Sequence, residues 1–306
     1  MVKQGKLQTF VEYAAVKSVL VTLGHLPPTT AMTVGQSIGK LAYALAGNLR
    51  KTGATNLQLA FPEKTEAERA ALLRECFNSL GRQLGLFSQF ATRPRADLQN
   101  LIEVQGLEHI EAAKAHMNSG LILFTAHLGA WELTSFGPSL FGHPFSFIVR
   151  RIDNPKIEDL VDRVRMRFGN VTIDKLSAAR SMLKLLREKG VLGLLPDLNA
   201  LDAEAIFVDF FKVPAATNFI MAKLALRTNS PIIPIFAPWS EEKRKYLLII
   251  GPPVSFERTG DEEHDVRQLT TTLSQMIENT IRRYPGQWLW IHKRWKTRPE
   301  GEPAIY

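Results

Sequence analysis

The sequence predicts an α/β fold in which helices cover a central mixed sheet, with an amphipathic helical extension at the N-terminus. Short apolar runs typical of buried strands alternate with longer amphipathic stretches typical of helices. Glycine, proline and helix-capping residues stand at the boundaries between them. At 306 residues the chain can bury a large core, and we take residues 51–306 as one domain and residues 1–50 as the extension.

The N-terminal extension carries two apolar stretches. Residues 10–23 are interrupted by Glu12 and Lys17, so no run reaches the roughly 18 to 20 residues that cross a bilayer. They also lack the compact apolar core and small cleavage-site residues of a signal peptide. Residues 31–49 form a second stretch with three leucines on one face, Leu41, Leu45 and Leu49. Amphipathic patterning fits helices that lie flat in a membrane interface and ordinary helices that cover the core, and it does not separate the two.

The remainder of the chain alternates helices and strands. Thr65 and Glu68 form a capping box that opens a helix to about residue 90. The apolar run of residues 121–124 predicts a buried strand, and residues 191–195 predict another that leads into Asp197. Further helices are predicted over residues 155–168, 177–189, 265–283 and from a cap at Thr217 to residue 227, and further strands over residues 232–236 and 246–250.

The stretch LILFTAHLGAWEL, residues 121–133, holds the strongest candidates for chemistry. His127 should lie where a strand ends and a helix begins, which is where α/β proteins place their sites. On one regular helix His127 and Glu132 would point roughly 140° apart, so their contact requires a bend, which Gly129 can supply. Glu132 could then hold one imidazole nitrogen while the other takes a proton from an alcohol. The alternative is a structural histidine at a strand end and a glutamate that favours a helix N-terminus by its charge.

The segment HLGAWE resembles the His-x4-Asp/Glu box of glycerolipid acyltransferases, and in its HxxxxE form with tryptophan before glutamate it is similar to the lipid A secondary acyltransferases of the lauroyl and myristoyl type. Other elements that resemble this family follow one another along nearly the whole chain. They are NLQLAFPE at residues 56–63, FIVRRIDNP at 147–155, RMRFGN at 165–170, Pro196-Asp197, FVDFFKVPAAT at 207–217 and YPGQWLWIHKRWKTRPEGE at 284–302.

Two positions depart from the family pattern. After Asp197 the family usually has His or Gln and a nearby glycine, whereas this chain continues with LNALD. The segment FVDFFKVPAAT carries Lys212 where glycine is common. These departures concern individual donors and acceptors and leave the class of protein unchanged.

The resemblance implies a glycerolipid-acyltransferase-like fold and a set of site residues. His127 and Glu132 are the predicted catalytic pair, and the residues predicted to bind substrate are Arg150, Arg165, Asp197, His292 and Arg294. A guanidinium keeps its charge and offers a planar fork of donors, which suits Arg150 for a phosphate or an oxyanion. Alternatives are a plain surface arginine at Arg150, a solvated helix face around Arg165 and a helix or turn cap at Asp197. We expect no cofactor and no metal, with an acyl carrier protein or coenzyme A thioester as co-substrate.

Composition limits the partners. Lysine and arginine exceed aspartate and glutamate by eight charges, which indicates an anionic lipid, an acidic carrier protein, a phosphate or a nucleic acid as partner. The C-terminal segment interleaves basic residues with three tryptophans, a pattern that fits a membrane or lipid-phosphate contact, a solvated terminus packed on the core or, less well, single-stranded nucleic acid. No nucleic-acid-binding motif accompanies it. The single cysteine, Cys76, excludes an internal disulfide and reads as a core residue.

These observations favour an enzyme that resembles the lipid A secondary acyltransferases. His127, oriented by Glu132, would activate a hydroxyl of an anionic glycolipid for attack on the thioester of an acyl carrier protein or coenzyme A, without a metal or a covalent intermediate. We expect the enzyme at the cytoplasmic face of the bacterial inner membrane, as a peripheral or monotopic protein. Alternatives are an acyltransferase for another acceptor, such as a glycosylated phosphoinositide or an aminolipid, a hydrolase, and a non-catalytic lipid-binding protein. Neither a GxSxG elbow nor an HExxH cluster supports hydrolysis.

Overall fold

The structure, a computed structural model, describes residues 5–116, 118–174, 178–201 and 205–306. Helices and strands alternate through most of these ranges. The helices are α1 (Lys6–His25), α2 (Pro28–Leu45), α3 (Gly47–Ala60), α4 (Glu66–Thr92), α5 (Arg95–Gln99), α6 (Leu107–His116), α7 (Trp131–Leu140), α8 (Pro155–Arg165), α9 (Ala178–Arg187), α10 (Ile220–Thr228) and α11 (Glu262–Arg283). The strands are β1 (Ile102–Gln105), β2 (Leu121–Phe124), β3 (Ser146–Val149), β4 (Val171–Asp174), β5 (Val191–Leu194), β6 (Ala205–Phe210), β7 (Val213–Asn218), β8 (Ile232–Phe236), β9 (Trp239–Ser240) and β10 (Lys245–Ile250).

One mixed sheet organises the protein, as predicted. Its strand order is β1-β10-β8-β2-β5-β3-β4, with β9 paired to β10. The run from β8 to β4 is parallel, whereas β10 is antiparallel to β8. The carboxyl ends of β8, β2, β5 and β3 therefore meet at one edge of the sheet. In open α/β sheets that edge is where ligands bind.

Helices cover both faces of the sheet. Along β2, Ile122 and Phe124 belong to one buried apolar cluster, and Leu121 and Leu123 belong to the other. The first cluster includes residues of α9, α10, α11 and the C-terminal segment, and the second includes residues of α4, α5, α6 and α7. Strand β2 is buried at every position because both of its faces are covered.

The N-terminal helices pack on the long helix α4. This helix begins with the predicted capping box, in which the Glu68 N–H donates to Thr65 Oγ1 and the Thr65 N–H donates to Glu68 Oε2. Helix α2 approaches α4 so closely that a Cβ at Gly35 would lie 2.1 Å from the carbonyl oxygen of Gly81. Only glycine allows this crossing. The boundary predicted at residue 50 falls within α3 and stays a prediction.

Strands β6 and β7 form a hairpin outside the main sheet, and here one prediction is wrong. Thr217 does not cap a helix, because it lies in β7, and its hydroxyl donates to the Ala215 carbonyl. Helix α10 begins at Ile220, whose N–H donates to Asn218 Oδ1. The strand continues to Asn218 because Thr217 pairs with Ile206 across the hairpin.

The hairpin turn explains why glycine is favoured at the position of Lys212. Phe211 and Lys212 have positive φ angles of 54° and 61°, a conformation that side chains disfavour and glycine adopts freely. Lys212 is exposed at this turn. We therefore predict that Lys212→Gly raises the free energy of unfolding by about 0.5 to 1 kcal/mol, because the strain at this φ is removed. Urea denaturation of the variant and the wild type measures the difference.

Lys212→Ala is the matched control. It removes the same charge and side chain but keeps a Cβ at positive φ, so its free energy of unfolding should not rise. Equal stabilisation by alanine and glycine would show that the lysine side chain, and not the backbone conformation, sets the stability of the turn.

Candidate active site

His127 lies in the turn that follows β2, at the carboxyl edge of the sheet. Gly129 takes a φ of 59°, which provides the predicted bend, and a Cβ there would lie 2.2 Å from the Ala237 carbonyl oxygen. The Ala130 N–H donates to that carbonyl at 2.9 Å, and the Gly129 N–H donates to the Gln287 carbonyl at 2.9 Å. Because both bonds are to backbone atoms of other segments, the turn that carries His127 is fixed before any ligand binds.

The C-terminal segment forms the wall next to this turn. Leu128 makes an antiparallel bridge with Trp288, and the Leu289 N–H donates to the His127 carbonyl at 3.0 Å. Trp288, Trp290 and Trp295 are all fully buried. This overturns the expectation that these tryptophans contact a membrane or a lipid phosphate, because all three side chains pack in the buried apolar core.

A buried carboxylate, Asp197, holds the His127 ring. Asp197 Oδ1 lies 2.8 Å from His127 Nδ1, and Oδ2 accepts the His127 backbone N–H at 2.8 Å. Oδ2 also accepts the indole N–H of Trp288 at 2.8 Å. An ionised carboxylate only accepts hydrogen bonds, so Nδ1 carries a proton in this arrangement, and in the neutral imidazole the lone pair is then on Nε2.

The environment of Asp197 keeps it ionised. Burial by itself raises the pKa of this carboxyl, but the attraction to the imidazolium form of His127 and the hydrogen bonds from His127 and Trp288 together outweigh burial, and the pKa lies below its usual value. The His127 ring is about one fifth exposed, and Nε2 has no hydrogen-bond partner among the described residues. Asp197 thus orients the ring through Nδ1, and Nε2 is left free to accept a proton, as a general base requires.

Glu132 occupies a different position from the one predicted. Its carboxylate forms a fork with the Arg165 guanidinium, with Arg165 Nη2 to Oε1 at 2.5 Å and Nε to Oε2 at 3.1 Å. Both side chains are about 15 to 17% exposed. The prediction that Glu132 orients His127 is therefore wrong in this geometry, since Asp197 fills that place. Glu132 lies in the first turn of α7, directly after Trp131, whose ring centroid lies 5.3 Å from that of His127.

Arg165 and Arg150 differ in how free they are to meet a ligand. Arg165 forms an ion pair with Glu132 next to the site, and its predicted contact with substrate stays a prediction. Burial lowers the pKa of Arg165, but the charge of Glu132 and the bonds to it raise the pKa above its usual value. Arg150 directly follows β3 at the carboxyl edge of the sheet, is exposed, and pairs with no described residue. It remains available to an anionic ligand.

His292 and Arg294 follow the segment that walls the site. His292 is half-buried, its Nδ1 has no partner among the described residues, and burial lowers the pKa of its imidazole. Arg294 is fully buried, and its guanidinium donates to the Ala216 carbonyl at 2.6 Å and to Thr217 Oγ1 at 2.5 Å. The predicted contact of Arg294 with substrate does not fit this placement, because its donors face the β6–β7 hairpin.

Two residues that support the site were not singled out as site residues from the sequence. Trp288 donates to Asp197, and Asn56 donates its amide to the carbonyls of Trp290 at 2.6 Å and His292 at 2.7 Å. Both lie in motifs quoted above, NLQLAFPE and the terminal segment, so the signal was present. The structure shows that these two motifs, although far apart in the sequence, are hydrogen-bonded to each other.

The described residues form neither a metal site nor a reactive thiol. Within the described ranges, no three histidine, cysteine, aspartate or glutamate side chains converge on a possible metal position. The expectation of a metal-free reaction stays a prediction. Cys76 is buried and its Sγ–H donates to the Trp288 carbonyl at 3.1 Å, and burial raises the pKa of the thiol to about 12. The thiolate nucleophile is therefore not populated at neutral pH.

Comparison with known proteins gives a consistent set of relatives. A profile of the family described as bacterial lipid A biosynthesis acyltransferase matches residues 3–297. The chain is 30% identical over 291 residues to a lipid A biosynthesis lauroyltransferase of Escherichia coli K12, which covers 94% of this chain and 92% of that protein. It is 30% identical over 256 residues to a lipid A biosynthesis acyltransferase of Haemophilus influenzae, covering 83% of this chain and 77% of that protein. It is 26% identical over 281 residues to a lipid A biosynthesis myristoyltransferase of E. coli K12, covering 92% and 85%.

Proposed function

Since the chain belongs to the bacterial lipid A biosynthesis acyltransferase family, we propose that it transfers a fatty acyl chain from a thioester to a hydroxyl of a lipid A precursor or a similar glycolipid, with His127 as the general base. The observation that carries this proposal is the pairing of His127 Nδ1 with the buried Asp197 while Nε2 stays open. A base oriented in this way needs only an alcohol in front of it to generate a nucleophile.

The reaction follows from this arrangement. His127 Nε2 takes the proton of the acceptor hydroxyl as its oxygen bonds to the thioester carbonyl carbon. The resulting tetrahedral oxyanion needs positive charge nearby, and Arg150 is the exposed guanidinium at the same sheet edge. When the intermediate collapses, the carbon–sulfur bond breaks, the ester remains, and His127 returns the proton to the leaving thiolate. The Asp197 charge stabilises the imidazolium in between.

The pair formed by Glu132 and Arg165 has a supporting role in this proposal. The bidentate bond fixes the start of α7, which follows the turn of His127, to the end of α8. A held carboxylate at this position can accept a hydrogen bond from a second hydroxyl of the sugar and so orient the acceptor. His292, with its neutral ring favoured by burial, is proposed to line the acceptor side.

The co-substrates and partners are part of the same proposal. We propose an acyl carrier protein or coenzyme A thioester as donor, an anionic glycolipid as acceptor, no further cofactor, and no role for nucleic acid. The relatives are named for lauroyl and for myristoyl transfer at 30% and 26% identity, so the identities do not assign the chain length.

Transfer of a labelled acyl group tests the proposal directly. The purified protein in detergent is given a lipid A precursor with lauroyl or myristoyl thioesters of acyl carrier protein, and in parallel with the coenzyme A thioesters. Label in the glycolipid supports the proposal and identifies the donor. Transfer only to a glycosylated phosphoinositide or an aminolipid would replace the acceptor. Binding of lipid without any turnover would favour the alternative of a non-catalytic lipid-binding protein.

The N-terminal helices favour a membrane surface as partner. Helix α2 exposes apolar side chains at helical spacing, among them Val34, Ile38, Leu41 and Leu45, and Leu45 is 76% exposed. The ammonium groups of Lys17, on α1, and Lys156, on α8, both lie over the ring of Tyr13, which is also on α1. Among the described residues, no helix has the length and apolarity to cross a bilayer. We propose that this surface lies on the cytoplasmic face of the inner membrane as a peripheral contact.

Leu45→Glu should weaken binding to vesicles of anionic phospholipid. Removing a leucine that inserts into the interface forfeits about 2 kcal/mol, which lowers the partition coefficient roughly 30-fold. Leu201→Glu makes the same change at a leucine that is 74% exposed but lies elsewhere in the fold, so it should bind like the wild type. Sedimentation with vesicles measures both. Equal binding by all three proteins would exclude this face as the membrane contact.

A further inference from the structure

Two opposite charges are buried close to each other without a direct bond. Asp197 and Arg294 are 2% and 1% exposed, and both line one small cavity of about 10 Å³. The Asp197 oxygens are occupied by His127 and Trp288. No ion pair joins Arg294 to a carboxylate among the described residues, and its Nε has no partner there. A buried guanidinium without a bonded carboxylate is costly, so its retention needs a reason.

The contacts of Arg294 supply one reason. Its Nη1 donates to the Ala216 carbonyl at 2.6 Å and, more weakly, to the Leu198 carbonyl at 3.4 Å, and Nη2 donates to Thr217 Oγ1. Leu198 directly follows Asp197. The guanidinium therefore ties the turn that carries the carboxylate to the β6–β7 hairpin.

Electrostatics supply the second reason. Burial lowers the pKa of Arg294 to about 10, and the Asp197 charge acts in the opposite direction. The same Coulomb attraction must favour the ionised form of Asp197, since the interaction between two charges is mutual. At neutral pH the guanidinium is still protonated, so this attraction operates where the enzyme works.

We propose that Arg294 is a positioning residue that acts through Asp197: its charge and its hydrogen bonds keep the carboxylate ionised and in place, and so hold His127 with Nε2 ready to accept a proton. This inference rests on the proposed function, in which His127 is the base. Arg294 touches neither substrate nor His127. Its effect reaches the reaction only through the carboxylate that holds the imidazole.

Other charged groups surround the pair and must be separated from Arg294. Glu132 and Arg165 lie on the α7 and α8 side and neutralise each other. His292 lies on the C-terminal side, and the charges of Arg294 and Lys296 lower the pKa of its imidazole. Loss of Arg294 would therefore also raise the pKa of the His292 imidazole, and a measurement must distinguish that change from an effect on the Asp197–His127 pair.

Three variants test the proposal, with Arg298→Gln as the matched control. Arg298 is also a mostly buried arginine of the C-terminal segment that donates to the same hairpin, to the Pro214 carbonyl at 2.6 Å, but it pairs with Glu302 and does not line the cavity of Asp197. Arg294→Gln removes the charge, and Arg294→Lys keeps the charge but loses the planar fork. Both arginine sites anchor the hairpin, so a purely structural role would make the two glutamine variants behave alike.

The pH dependence of kcat/KM is the discriminating measurement. Without the positive charge, protonation of the Asp197–His127 pair becomes easier, so the acidic limb for Arg294→Gln should move to higher pH by about 0.5 unit or more. Its kcat at pH 7 should fall about tenfold while KM changes little. Arg294→Lys and Arg298→Gln should keep the limb of the wild type. An unmoved limb in folded Arg294→Gln, or an equal shift in Arg298→Gln, would overturn the proposal.

A second readout keeps the test independent of turnover. Histidine side-chain NMR titration follows His127 directly, and a His292→Gln background assigns its signal. His127 should titrate at higher pH in Arg294→Gln than in the wild type. If wild-type protein transfers no acyl group, the proposed function fails while this titration still decides the coupling. If Arg294→Gln does not fold, a shifted His127 titration in Arg294→Lys would contradict the proposal, and a titration like that of the wild type would support it.

Discussion

His127→Ala should lower kcat about 10² to 10⁴-fold, with little change in KM for either substrate, because a positioned general base contributes that factor to such reactions. The change removes the atom that takes the hydroxyl proton, and it also leaves Asp197 Oδ1 without its ring partner. Steady-state kinetics of acyl transfer from the labelled thioester measure the loss. Activity within a few-fold of the wild type would exclude His127 as the base.

Two controls separate lost chemistry from lost structure. Thermal unfolding of His127→Ala should show a modest decrease, because Asp197 keeps the bonds from the His127 backbone N–H and from Trp288. Added imidazole should restore part of the transfer, since the space left by the ring opens to solvent on the Nε2 side. A damaged fold would not respond to imidazole. Release of free fatty acid by the wild type, without transfer, would favour the hydrolase alternative.

The sequence identified His127 and Asp197 as site residues, but it did not predict that they contact each other. His127 lies three positions after Phe124, and Asp197 lies three positions after Leu194. Phe124 and Leu194 are register partners in the neighbouring parallel strands β2 and β5. Spacing along the chain favours a local partner such as Glu132. Only the strand order, which apolar runs do not encode, brings the more distant carboxylate to the ring.

The C-terminal segment shows a second limit of sequence reasoning. Tryptophans beside basic residues fit a membrane surface, yet Trp288 and Trp290 are buried against each other with ring centroids 4.7 Å apart. The alternation of tryptophan in WLW is also typical of an extended segment with one buried face. The same composition fits a membrane contact and packing on the core. The tertiary structure decides between them, because the core lies next to these tryptophans. The predicted alternation of helices and strands, by contrast, is confirmed. It could be predicted because each helix and strand has its own hydrophobic periodicity in the sequence.

Asp197→Asn should lower kcat by about 10³ to 10⁴ with KM little changed, because the amide cannot satisfy the three donors that the carboxylate accepts. Those donors are the His127 N–H, His127 Nδ1–H and the Trp288 indole N–H. An asparagine presents one oxygen and one NH₂ group, so one donor faces another unless the His127 ring changes tautomer. Nε2 would then carry the proton, and it could no longer take one from the hydroxyl. Nitrogen chemical shifts of the His127 ring report the tautomer directly.

Glu132→Gln is the variant that separates the two carboxylates. In the observed geometry it breaks the fork to Arg165 but leaves the bond from Asp197 to Nδ1 intact. We therefore expect a smaller loss of kcat, a change in KM for the acceptor, and an unchanged His127 tautomer. If Glu132 oriented the ring as the local spacing suggests, Glu132→Gln would alter the tautomer and Asp197→Asn would not. Because the two assignments predict opposite results for the same ring, one pair of spectra decides which carboxylate holds the base.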